Sequence, residues 1–144
     1  MKQSVQDEFT IVHRAARYRM YRIMHYFIDV HGFDVDFYEP PSHKLTLLHV
    51  IAKFHTTIFT DEDKLHIKKL ITKSNNLLLK NNFGKTIVAV ALSANCKENT
   101  NFLRDAIQEQ ILLKIKRVTF VMSKVLYKKV NKYIVRDIYK YVDG

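Results

Sequence analysis

Thr10-Ile11-Val12-His13-Arg14-Ala15-Ala16 recurs as Thr46-Leu47-Leu48-His49-Val50-Ile51-Ala52 and, with less agreement, as Thr86-Ile87-Val88-Ala89-Val90-Ala91. The offsets run from 10 to 46 and from 46 to 86. Ile23-Met24-His25-Tyr26-Phe27-Ile28 follows the first copy and Ile67-Lys68-Lys69-Leu70-Ile71 the second, each fitting one apolar helix face. Polar turn segments lie between, from His31 through Pro40-Pro41 and from Lys73 through Asn81-Asn82-Phe83-Gly84. Each unit therefore reads as helix, turn, helix and extended loop, a period that marks stacked units.

The recurring residues have physical roles. A Thr at the head of a helix caps free backbone N–H groups, and a His shortly after it can bridge neighbouring loops by hydrogen bonds. Small Ala residues let paired helices approach closely. Gly84 is expected in a turn with positive φ, where a side chain costs stability. No single unit can bury both of its apolar faces, so stacking of units creates the core.

At this level the residues resemble the ankyrin repeat, whose signature is Thr-Pro-Leu-His-x-Ala-Ala followed by a second helix of Ile-Val-x-x-Leu-Leu type. Thr10, His13, Ala15 and Ala16 match in the first unit, Thr46, Leu48, His49 and Ala52 in the second, and Gly84, Thr86 and Ala91 in the third. Ile11, Leu47 and Ile87 replace the prolines, Ala89 stands in place of His, and the second unit carries extra residues from Thr56 to Asp63. The resemblance implies an all-α ankyrin-repeat solenoid of about three helix-turn-helix units, with a C-terminal helical cap or tail. The units fall near 8–41, 42–81 and 82–107, and a basic helical segment spans 108–144.

Composition agrees with a helical domain. The 144 residues include Gly 3 and Pro 2, too few for the turns of an all-β fold, and 47% are hydrophobic, enough for a packed core. No run of about eighteen apolar residues occurs and the first residues are polar, so neither a membrane span nor a secretory leader is expected. Cys96 is alone, which excludes an internal disulfide and suits a reducing compartment. The expected location is the cytoplasm or nucleus, of a host cell if the protein is viral, and not the secretory route.

The net charge of +10 predicts attraction to an acidic surface. Much of it falls in the tail, where Lys114, Lys116, Arg117, Lys124, Lys128, Lys129, Lys132, Arg136 and Lys140 surround an apolar series of Ile111, Ile115, Val118, Met122 and Val125. Tyr127, Tyr133, Tyr139 and Tyr141 interleave with these cations. That pattern suits a solvated capping helix first, then a protein-docking helix, then a nucleic-acid or lipid surface.

No constellation for catalysis emerges. The seven histidines, His13, His25, His31, His43, His49, His55 and His66, include no His-Glu-x-x-His pair, and those outside the repeat signature are expected at the surface or in loops. Asp61-Glu62-Asp63 lacks the alternation and glycine of a calcium loop and reads as a helix start, with Thr60 as its cap. Gly84-Lys85-Thr86 is similar to the end of a phosphate loop but lacks the upstream glycine. The expectation is a protein that is not an enzyme, with no cofactor, metal or small-molecule substrate.

Ankyrin stacks bind proteins by surface complementarity, so the resemblance implies an interaction module. The short chain, rich in Lys, Asn and Ile, is similar to the ankyrin proteins of poxviruses and polydnaviruses. Members of that group that resemble IκB are thought to suppress host innate immunity by holding NF-κB (Rel) factors inactive. These 144 residues contain no Asp-Ser-Gly-x-x-Ser degradation signal. Alternatives are an adaptor whose F-box-like helix, Val130 to Val142, recruits a ubiquitin ligase, and a basic module for nucleic acid or lipid. The expected partner-binding residues are Phe37, Tyr38, Glu39, Phe83 and Lys85 on loop tips of the concave side, with Lys128, Lys129 and Lys132 in the tail.

Overall fold

Threonine side chains set where three of the helices start. The structure, a computed structural model, describes residues 11–38 and 44–119. Those residues are all-α: helical residues 11–17 (α1), Tyr21–Asp29 (α2), Leu47–Phe54 (α3), Asp61–Lys73 (α4), Ile87–Ala94 (α5) and Lys97–Thr119 (α6), with no β-strand among them. Thr46, Thr60 and Thr86 stand at the N-caps of α3, α4 and α5 and accept from the backbone N–H of His49, Asp63 and Ala89 at 3.3, 3.1 and 3.2 Å. The Asp63 carboxylate returns the bond, accepting from the Thr60 N–H at 3.0 Å. The acidic run from Asp61 to Asp63 thus lies in the first turn of α4, where the helix dipole favours it. No helix among the described residues is long and apolar enough to cross a membrane.

The short helices bury the small residues of the repeated motif. Ala15, Ala16, Ala52 and Ala91 are buried with Val12, Leu48, Ile51 and Ile87 in one core that also takes Met24 from α2, Ile67 and Leu70 from α4, and Leu103 and Ile107 from α6. Helix α3 packs on α4 and α5, and α6 packs on α4 and α5. Helix α6 runs without a break past Ile107, where the basic composition begins, and Ile111 and Ile115 continue its apolar stripe onto the core. Thr10, Glu39, Lys128, Lys129 and Lys132, together with the segment from Val130 to Val142, lie outside the described residues.

The same two hydrogen bonds occur at successive junctions. His13 Nε2 donates to the Leu45 carbonyl at 2.9 Å, and His49 Nε2 donates to the Lys85 carbonyl at 3.2 Å, each reaching the residue before the next capping Thr. Returning the other way, His55 Nε2 donates to the Ala16 carbonyl at 2.7 Å and Asn95 Nδ2 to the Ala52 carbonyl at 3.0 Å. These donors satisfy carbonyls near the ends of α1 and α3 that no helical N–H can reach. His55 lies in the loop after α3, as expected of a histidine outside the signature, but it is fully buried there and not at the surface. The backbone chemistry of a neighbour, invisible in the local pattern, recruits it.

Candidate interaction surface

The loop from Asn81 to Thr86 is built by one side chain. Asn81 Oδ1 accepts from the Phe83 and Lys85 backbone N–H groups at 2.9 and 3.0 Å, while the Asn81 N–H donates to the Lys85 carbonyl at 2.9 Å. The Gly84 N–H closes the turn on the Asn81 carbonyl at 3.0 Å. Gly84 has φ +73°, in the left-handed region expected from the sequence, although a Cβ there would meet nothing within 4 Å. Gly84→Val is consequently expected to cost about 1–2 kcal/mol through backbone strain alone. A thermal melt of the variant that matched the parent would refute this.

This turn projects Phe83 and Lys85 beside the exposed edges of α3 and α5. Together with Leu45, Lys53, Asn81, Val90, Ser93 and Ala94 they line a concavity of about 140 Å³. Lys85 Nζ donates to Ser93 Oγ at 2.8 Å, which holds the loop to α5. Along the same edge, Lys53 Nζ sits 5.3 Å from the Phe54 ring centre, Arg17 Cζ lies 4.1 Å from that ring, and Arg17 also lies 5.4 Å from the ring of Tyr18. A strip thus runs from Tyr18 and Arg17 across Phe54 and Lys53 to Lys85 and Phe83. Phe83 and Tyr18 are 67% and 63% exposed, high values for large aromatic side chains.

The preceding loop contributes Phe37 and Tyr38, whose rings stack with centroids 6.0 Å apart. Phe37 is half-buried and meets Phe33 edge-on, whereas Tyr38 is exposed with Lys44 Nζ 5.8 Å from its ring centre. Of the expected partner residues, the structure brings Phe83 and Lys85 into one groove and places Phe37 with Tyr38 in the loop that leads to its floor residue Leu45. Arg17, Lys53, Phe54 and Ser93 were not anticipated. The period that aligns Thr10, Thr46 and Thr86 also aligns Arg17, Lys53 and Ser93, and reading it for exposed positions finds them.

A second polar cluster lies between α2 and α4. Asp63 is 2% exposed; burial opposes its charge, but the Tyr21 hydroxyl, the Thr60 N–H and Arg19 outweigh that and hold its carboxyl below the usual range. Arg19 Nε donates to it at 3.2 Å, and the Tyr21 hydroxyl makes a short bond to the same oxygen. Next to this group, His25 Nε2 and His66 Nδ1 are 2.8 Å apart, and Tyr21 stacks on His66 with centroids 4.3 Å apart. Burial pushes both imidazoles below the usual histidine value; His66, Lys73 and Lys69 add to this at His25, and Lys69 adds to it at His66, where Glu62 and Asp63 oppose it. No group of three or more His, Cys, Asp or Glu with metal-holding geometry occurs among the described residues.

Comparison with family models, with curated proteins and with solved structures yields no match.

Proposed function

We propose that this chain is a non-enzymatic protein-interaction module of the ankyrin-repeat type, which presents the strip from Tyr18 to Phe83 to a protein partner. The observation that carries this is the repetition of one pair of inter-unit hydrogen bonds, His13 to Leu45 with His55 to Ala16, then His49 to Lys85 with Asn95 to Ala52. Bonds of the same kind at equivalent positions favour a stack of like units, and such stacks hold an extended surface rigid for docking. The exposed aromatic rings along one edge of that stack suit an interface.

The narrower form of this reading, by resemblance to short viral ankyrin proteins, is a suppressor of host immune signalling whose partner is an NF-κB (Rel) factor. Opposite charge favours encounter and like charge opposes it. A basic strip accordingly would engage an acidic part of such a factor and not its basic nuclear-localisation segment.

A tagged pull-down from immune-stimulated host-cell lysate, with the partners identified by mass spectrometry, tests both levels. The intact chain is compared with a Phe83→Ala/Lys85→Glu variant whose circular dichroism matches the parent. Capture of a Rel factor by the parent and its loss from the variant is the expected result. Ubiquitin-ligase subunits retained by the variant would favour the adaptor reading, and salt-labile nucleic acid alone would overturn the interaction-module reading, because phosphate contacts weaken steeply with salt.

A further inference from the structure

Cations occur on most helices of the described fold, whereas the acidic residues are confined to a few elements. The acidic residues lie on α2 and the loop after it, on α4 and on α6: Asp29, Asp34, Asp36, Asp61, Glu62, Asp63, Glu98, Asp105 and Glu109. Several are engaged there, Asp29 with Lys73, Asp63 with Arg19, and Asp36 with Ser74. The strip holds Arg17, Lys53 and Lys85, and among the described residues none of the three has a carboxylate partner. Their near neighbours are aromatic rings or a hydroxyl. Cations left in this state beside exposed apolar rings attract an anionic ligand that also offers apolar surface.

The groove narrows the choice between anionic ligands. Its wall and floor include Leu45, Val90 and Ala94, with Lys53 and Lys85 at the rim, and its volume of about 140 Å³ is on the scale of one large aliphatic or aromatic side chain. A phosphate or lipid headgroup would leave that apolar hollow unfilled, whereas a side chain between two carboxylates fills it and satisfies the rim. We propose that the strip binds an acidic protein segment in which one apolar side chain enters the hollow between Leu45, Val90 and Ala94 and flanking Asp or Glu residues meet Arg17, Lys53 and Lys85. This deepens the interaction-module reading and rests on it.

The test is selection of random twelve-residue peptides on the full-length chain, followed by fluorescence-polarisation titration of the enriched peptides. The probes for the other anionic classes are a twenty-nucleotide oligo(dT) and vesicles of phosphatidylcholine with phosphatidylserine. Enriched peptides are expected to carry several Asp or Glu around one Leu, Ile, Met or Phe. Their Kd is expected to rise at least tenfold in Lys53→Glu and in Lys85→Glu, and as much in Ala94→Leu, which fills the hollow from a half-exposed position without adding charge.

Peptide binding that survives all three substitutions, or enriched peptides that are not acidic, overturns the proposal while leaving a protein-interaction module in place. Binding of the oligonucleotide or the vesicles with no peptide enriched overturns both. Unchanged circular dichroism and melting in the charge-reversal variants guards against loss by unfolding, since both positions are exposed.

Discussion

Asp63→Ala is expected to lower the unfolding free energy by about 2–4 kcal/mol, the cost of leaving a buried hydroxyl without its acceptor and of opening a helix cap. The carboxylate is 2% exposed and serves three donors from three segments: the Thr60 N–H at the start of α4, the Tyr21 hydroxyl on α2 and Arg19 Nε from the turn before α2. Removing it leaves the buried Tyr21 hydroxyl without its acceptor and opens one half of the α4 capping box. Urea titration followed by circular dichroism measures the loss. Asp63→Asn, which keeps an acceptor and loses the charge, should recover part of it. A midpoint within error of the parent in Asp63→Ala would refute the central place given to this carboxylate.

The second large effect is loss of stability in mild acid. Burial pushes His49 down to about 4, against backbone hydrogen bonds to Lys85 and Leu79 that partly favour its charge. Its Nδ1 accepts within the Thr46 cap, so the neutral ring protonated on Nε2 fits both partners. The unfolded chain takes up this proton near pH 6.5 and the folded chain only near pH 4, so between those values the unfolded state binds more protons.

The stability due to a neutral His49 is thus whole above about pH 6.5 and declines as the pH falls towards 4, by about 3 kcal/mol in all. His55 and the His25–His66 pair are shifted in the same direction by burial first, and they add to the slope. Urea midpoints at pH 7.5, 6 and 5 should fall in that order, and NMR titration should show the His49 ring neutral throughout. A midpoint flat from pH 7.5 to 5 would contradict the burial and tautomer assigned to these rings.

Much of the helical plan is legible in the chain because its determinants are local. A Thr three residues before the N–H it caps is a short-range pattern, as is the Gly that permits a left-handed turn, and both are found where the spacing places them, at Thr46, Thr60, Thr86 and Gly84. The apolar stripe through Ile111 and Ile115 is likewise a periodicity and packs on the core. The proposed interaction surface was legible only in part. Phe83 and Lys85 stand out as an aromatic and a cation at a turn, but Arg17 and Lys53 are single basic residues on short helices, marked only by their shared place in the repeat period.

His55 and Asn95 show the physical reason. Each spends its donor on a carbonyl about forty residues away, and the need for that donor is created by the end of another helix. Asp63 is similar: its local role as the partner of Thr60 can be read from spacing, whereas its bonds to Tyr21 and Arg19 exist because α2 and α4 are packed together. By itself the sequence determined an all-α chain with capped short helices, small residues at the helix contacts and a positive net charge. Only the tertiary structure decided which polar groups are buried and paired, and which cations lie along one edge, because burial and pairing depend on distances between helices far apart in the chain, which local spacing does not set.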